Sequence, residues 1–425
     1  MIKPRQLERV IQAGLLVIVA LMPFHAFLTT WIGTSIGQRP LVQAWKELVL
    51  LMLAMGALAL VRAEPNRKHR LSAGWLRAAA GFAVLGAAGG LVAYANHIIE
   101  IGQFAIGLKT DLEFFTAAAL AAVVATPKWA KQLAFAALAG GVGVGLFVVG
   151  QTYCWPVFDL TKFGYGPDTI KPFLYLNGTS NTIRYGGPLG GPNQLGSYLI
   201  IPISLAVAAT LRRRQLVWLA ALPLLGFALF HSYSRSAWIG AGAATIVLLL
   251  CLVPAKFRLA TGLLLILISL AGATAAAQLI ASHPALQEQL LHTSLQNHAA
   301  PTSSDSEHLS SIVSGSAAVA TNPFGHGLGT AGPATYAAAS PNIIENQFLQ
   351  IGYETGWLGL GLFVTTLILL IMKLMRPSST PWSQATGAAL IGISLAGLFI
   401  PTLTDSSTAL IACTLAGSQA GQDNV

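Results

Sequence analysis

The chain has 425 residues, 54% of them hydrophobic and 9% charged, with a mean hydropathy of +0.65. Soluble domains carry charge on about a quarter of their residues, so this composition excludes a soluble globular protein and indicates one built inside a bilayer. The formal charge of +9 comes from basic residues gathered in alternate turns, the pattern of contact with an anionic cytoplasmic leaflet and not of a nucleic-acid site.

Predominantly apolar segments of roughly 17–25 residues cross the hydrocarbon as helices. Twelve such segments are expected, near 9–29, 42–61, 76–96, 111–126, 132–152, 194–211, 215–231, 236–253, 258–280, 345–372, 383–400 and 405–419. The fourth and the last are short. The basic, then apolar N-terminus has no small-x-small pattern after it, which makes it an uncleaved first helix. Placing that terminus inside puts most Lys and Arg in cytoplasmic turns. It leaves outside Arg39, Lys46, Lys109, Lys162, Lys171, Arg184 and Arg235. Cys154, Cys251 and Cys413 have no paired spacing and imply neither a disulfide framework nor a metal knot. Residues 1–425 form one integral membrane domain with no visible repeat.

Two external segments exceed simple turns, 153–193 and 281–344, and long ordered loops are more often functional than connecting. The first ends in "RYGGPLGGPNQLGSYL". There Gly190-Gly191-Pro192 reads as a turn, Asn193 as an N-cap and Gln194 as the start of a helix whose free N–H groups suit an anion. Arg184 precedes this turn, and Arg235 lies in "HSYSRSAWIG" between the seventh and eighth spans. A guanidinium at the interface is costly unless paired, snorkelling to headgroups or facing a polar cavity, and its planar fork matches phosphate oxygens.

The second external segment opens with the helical pattern "HPALQEQLLHTSLQNH" and holds His308 and His326. Either is a candidate for the site or an ordinary solvated loop histidine. The other histidines, His97, His231, His283, His292 and His298, show no metal-ligand spacing. Next, "IIENQFLQIGYETGWLGLGLF" aligns Asn346, Gln350 and Glu354 as a polar stripe at i, i+4, i+8. Glu345 stands at the external start of that helix, as dipole compensation or as a carboxylate that takes a proton from an attacking hydroxyl. No P-loop and no Asp-x-Asp nucleotide-sugar motif occurs. A donor already activated and carried in the membrane fits both absences.

Together, "RYGGPLGGPNQLGSYL", "SYSRSAWIG", "SSDSEHLSSIVSGSAAVATNPFGHGLGTAG" and "ENQFLQIGYETGWLGL" resemble the O-antigen ligase and polymerase superfamily of bacterial envelope glycosyltransferases. The resemblance implies an all-α, GT-C-like polytopic membrane enzyme of about twelve helices in the bacterial inner membrane, with its site facing the periplasm. Its donor would be an undecaprenyl-pyrophosphate-linked glycan and its acceptor a hydroxyl of lipid A core or of a growing polysaccharide. No cofactor, metal or nucleic acid is expected. The resemblance assigns Arg184 and Arg235 to the lipid pyrophosphate, and the reading of the residues adds Gly191, Asn193, Gln194 and Asn346 as binding groups. Glu345, His308 and His326 are the candidate catalytic groups. Ligases of the family commonly have His-Asn where this chain has Glu345-Asn346, and His308 stands where many members have an arginine. A polysaccharide polymerase is therefore one alternative, and a lipid-linked glycan flippase or a non-catalytic scaffold is another of a different class.

Overall fold

The computed structural model describes residues 3–154, 160–172, 174–176, 182–213, 216–282, 304–336 and 340–422. Its long elements are helices. The first apolar segment forms α1 (Pro4–Leu21) and α2 (His25–Ser35), parted by a 3₁₀ turn at Met22–Phe24. Pro23 sits inside that turn and cannot donate to a continuous helix. A short α3 (Arg39–Gln43) leads to α4 (Trp45–Ala63), and α5 (Lys68–Leu71) to α6 (Gly74–Ala95) and α7 (Ile101–Val123). Helix α8 (Pro127–Val149) begins with proline after Thr126, whose side chain accepts the Trp129 N–H at 3.4 Å.

Helices α9 (Pro192–Arg213), α10 (Ala221–His231), α11 (Arg235–Leu252) and α12 (Arg258–Ala281) follow. Then come α13 (Ser304–Thr321), α14 (Gln347–Leu374), α15 (Pro381–Ala396) and α16 (Ser406–Ala420). The only strands among the described residues are β1 (Leu174–Tyr175) and β2 (Ile183–Arg184), an antiparallel ribbon pairing Leu174 with Arg184. The helical pattern expected at the start of the second external segment, residues 283–298, lies outside the described residues.

Every one of the twelve expected segments lies on a helix, but twelve full spans are not matched. Seven described helical stretches are long and apolar enough to cross a membrane, or eight if α4 is counted with the bent turn after it. Helix α7 falls short because Lys109, Asp111 and Glu113 interrupt its middle. Helices α10, α15 and α16 have 11, 16 and 15 residues, too few to span alone.

Helix α9 is the axis of the bundle, mostly buried, with α8, α10, α11, α15 and α16 packed around it. Helix α12 lies at the opposite extreme, with none of its apolar window buried, and touches α11. Small residues allow two close helix pairs, since without a Cβ layer the backbones themselves come into contact. On α11 and α15, Gly240 and Gly392 face each other, and a Cβ on Gly240 would lie 2.5 Å from the Gly392 carbonyl oxygen. On α7 and α16, Gly417 lies against the Ala118 backbone, and a Cβ on Gly421 would lie 2.6 Å from Ala122 O.

Candidate active site

Strand β2 delivers Arg184 to the turn between α10 and α11. The Tyr185 N–H donates to His231 O at 3.1 Å and fixes the approach. Arg184 Nε donates to Ser232 O at 3.2 Å, and its Nη2 donates to Asn193 Oδ1 at 2.9 Å and to Tyr233 O at 3.4 Å. Tyr233 turns the chain with φ 49°, and Arg235 opens α11 two residues later. Burial, with the neighbouring Arg235 charge adding to it, lowers the Arg184 guanidinium to about 10. Two cations held close in a partly desolvated place favour an anion between or beside them.

The start of α9 differs from its expected register. The helix begins at Pro192, and its first-turn bond runs from Leu195 N–H to Gly191 O at 2.9 Å. Proline suits this position because its missing N–H is one of the donors a helix start leaves unpaired. Asn193 is therefore not the cap; it lies in the first turn and gives its side-chain oxygen to Arg184. A Cβ on Gly191 would lie 2.3 Å from Gln194 Oε1, so a side chain there would push the Gln194 amide aside.

A cavity of about 400 Å³ lies against this helix start. Its walls include Asn193, Gln194 and Ser197 of α9, Glu345 just before α14, and Asp405, Ser406 and Ser407 at the start of α16. His25 at the start of α2 and Tyr336 complete the side walls. Helix beginnings thus converge on one space with the positive ends of their dipoles, although Asn346 and Asp405 already take first-turn N–H groups of α14 and α16. The Glu345 backbone N–H donates to Ser311 Oγ of α13 at 3.0 Å, which anchors the main chain at this point of the wall. Burial, reinforced by the Glu345 charge, raises the Tyr336 phenol. Asp405 caps α16 through Thr408 N–H at 2.9 Å and Thr408 Oγ1 at 2.7 Å, and its burial raises its carboxyl in spite of those donors.

The other expected site residues are distributed as follows. Arg184 and Gly191 line a neighbouring recess with Tyr165 and Gly186, so the Arg184 cation reaches the larger cavity through Asn193. Asn346 is committed as the α14 cap: its Oδ1 accepts Phe348 N–H at 2.9 Å and Leu349 N–H at 3.0 Å, and its Nδ2 donates to Leu398 O at 2.7 Å. Glu345 consequently precedes the cap and lies outside the first turn of the helix. His326 is not on the cavity wall; its ring stacks on Tyr353 at 4.0 Å and Nδ1 lies 3.1 Å from Tyr353 O. The backbone of His308 belongs to α13, and its side chain lies outside the described residues.

Sequence reasoning missed His25, Asp405 and a buried ion cluster behind the cavity. Fully buried Lys46 on α4 pairs with Glu47 and, at 3.1 Å, with Glu113 of α7. Glu113 Oε1 also accepts Ser406 Oγ at 2.9 Å, which ties the cluster to the cavity wall. His25 Nδ1 accepts Trp45 Nε1–H at 2.9 Å. The signal was available as charges inside otherwise apolar spans, since such residues are costly unless they pair or face a cavity.

Residues 217–364 match the family described as O-antigen ligase. A search of curated proteins found no match. The matched stretch contains Arg235 and Glu345, while Arg184 and the α9 start lie upstream of it and meet it in space. With seven or eight helices long and apolar enough to cross a membrane and the match over residues 217–364, the chain is a multi-pass membrane protein that is similar over that stretch to the O-antigen ligases.

Proposed function

We propose that the protein transfers a glycan from undecaprenyl pyrophosphate to an acceptor hydroxyl at the external face of the bacterial inner membrane. One observation carries this reading: Glu345 and the α9 start share one cavity, and Asn193 connects that cavity to the Arg184 and Arg235 cations. In the reaction the bond between the sugar anomeric carbon and the pyrophosphate oxygen breaks, and a new bond forms to the acceptor oxygen. Negative charge develops on the leaving pyrophosphate, where Arg184, Arg235 and the α9 N–H groups stabilise it in place. The acceptor hydroxyl loses its proton to the Glu345 carboxylate, which sits within the same 400 Å³ space and acts as general base. Attack from the side opposite the leaving group gives inversion at the anomeric carbon.

The acceptor is lipid A core or the end of another glycan. The carboxylate at position 345, where ligases commonly have histidine, favours chain extension as the second reading. Transfer by purified protein in detergent, with EDTA present and both acceptors offered, tests the proposal. Wild type is expected to form product in EDTA, while Arg235→Ala and Glu345→Gln form at least about 100-fold less, the usual cost of removing an electrostatic or general-base group. If no acceptor gives product while the same lipid is flipped across liposomes, the protein is a carrier and the proposal fails.

A further inference from the structure

The interior of the bundle holds a second pair of acidic groups that the proposed reaction does not use. Asp111 on α7 and Glu354 on α14 are each 1% exposed, and their carboxyl groups lie beside one another. Glu354 Oε1 accepts the backbone N–H groups of Gly329 at 2.9 Å and Ala331 at 3.2 Å. Its Oε2 and Asp111 Oδ2 have no donor among the described residues. Two carboxylates only accept hydrogen bonds, and two negative charges repel strongly in a medium of low dielectric. One proton between them removes the repulsion, makes both orphan oxygens partners and leaves a single charge facing the two loop N–H groups.

The segment held by those N–H groups is unusual. Gly325, Gly327, Gly329 and Gly332 all have positive φ, and Gly327 and Gly329 press against the Gly89 and Gln103 carbonyls of α6 and α7. Helix α14 breaks at Gly356 (φ 68°, ψ −173°), and the loop fills the break. His326 N–H donates to Tyr353 O at 2.9 Å, Gly327 N–H to Glu354 O at 2.8 Å, and Trp357 N–H to Pro323 O at 2.9 Å. The same loop then supplies Pro333 and Tyr336 to the cavity wall. Around the pair, α7 presents Asp111, α14 presents Glu354 and Tyr353, and the loop presents His326 stacked on Tyr353. Helix α6 presents Gly86, Gly89 and Gly90 to the loop and to Phe104 of α7. Among the described residues no Lys or Arg pairs with either carboxyl.

We propose that Asp111 and Glu354 share one proton and act as a positioning pair that seats residues 322–336 between α6, α7 and α14, and so shapes one wall of the cavity. Only the effect on transfer rests on the proposed function. The shared proton and the seating of the loop stand apart from it.

Infrared spectroscopy and hydrogen exchange on the full-length protein at neutral pH test the pair. Wild type should show the carbonyl band of a protonated buried carboxyl, and Glu354→Gln and Asp111→Asn should each lack that component. An amide supplies the missing donor without a proton, so in Glu354→Gln the exchange of residues 322–336 should stay as slow as in wild type and transfer should persist. Glu354→Ala leaves two buried N–H groups without an acceptor, and exchange there should quicken at least about ten-fold while transfer falls. If Glu354→Ala does not fold, the infrared comparison of the two amide variants decides alone. An unchanged infrared band in both amide variants, or a Glu354→Gln loop that exchanges as fast as Glu354→Ala, overturns the inference. Wild type inactive in transfer but showing the band and the slow loop would sink the proposed function and leave the pair standing.

Discussion

Asn193 gives its side-chain oxygen to Arg184 from within the first turn of α9. That choice makes it the link between a half-buried cation and the cavity, so its removal should act on anion binding more than on folding. In Asn193→Ala, Arg184 keeps the Ser232 and Tyr233 carbonyls. Inorganic pyrophosphate should stabilise wild type against heat, and the Asn193→Ala affinity should fall about ten-fold, the worth of one charge-assisted bond. Equal thermal shifts in the two proteins would contradict this assignment. Gly191→Ala should fold, because its φ is not in the left-handed region, yet its methyl displaces the Gln194 side chain. Transfer should drop with little change in melting temperature, measured on the same samples. The identities of these residues were legible because a glycine- and proline-rich stretch beside an arginine is conspicuous in an apolar chain. Their register was not, because Asn as a cap and Pro at the first helical position make competing starts one or two residues apart.

On α14, the polar stripe Asn346, Gln350 and Glu354 was legible from helical spacing, and all three are buried in the protein. The break at Gly356 was not, because a glycine between Thr355 and Trp357 looks ordinary in a membrane helix. Its backbone lies in a region essentially reserved for glycine, and a Cβ there would lie 2.6 Å from the Phe324 carbonyl carbon. Gly356→Ala should therefore cost about 2–4 kcal/mol, from strain and displacement of the loop. Thermal unfolding in detergent checks this. A change below about 0.5 kcal/mol, the range of neutral surface substitutions, would show that the kink is not required.

Across the whole bundle, two of the charges that the orientation rule left outside, Lys46 and Lys109, find carboxylate partners on another helix. Lys46 meets Glu113 across α4 and α7, and Glu113 meets Ser406 of α16. No local pattern announces such a cluster, which is why its members were legible only as exceptions. Lys46→Met should destabilise by about 3–5 kcal/mol, because it leaves buried carboxylates uncompensated. Combining it with Glu113→Gln should recover part of that loss, as a double-mutant cycle in thermal unfolding would read. The close glycine pairs have a different bearing. Gly240 against Gly392, and Gly417 against Ala118, join α11 to α15 and α7 to α16 backbone to backbone. Alternating access requires two halves to rock past one another on a layer of side chains that repacks. These seams have no such layer, and α9, α15 and α16 are knitted into one stator. Under the proposed function, a lipid-tethered donor would meet a standing frame and enter it from its flank.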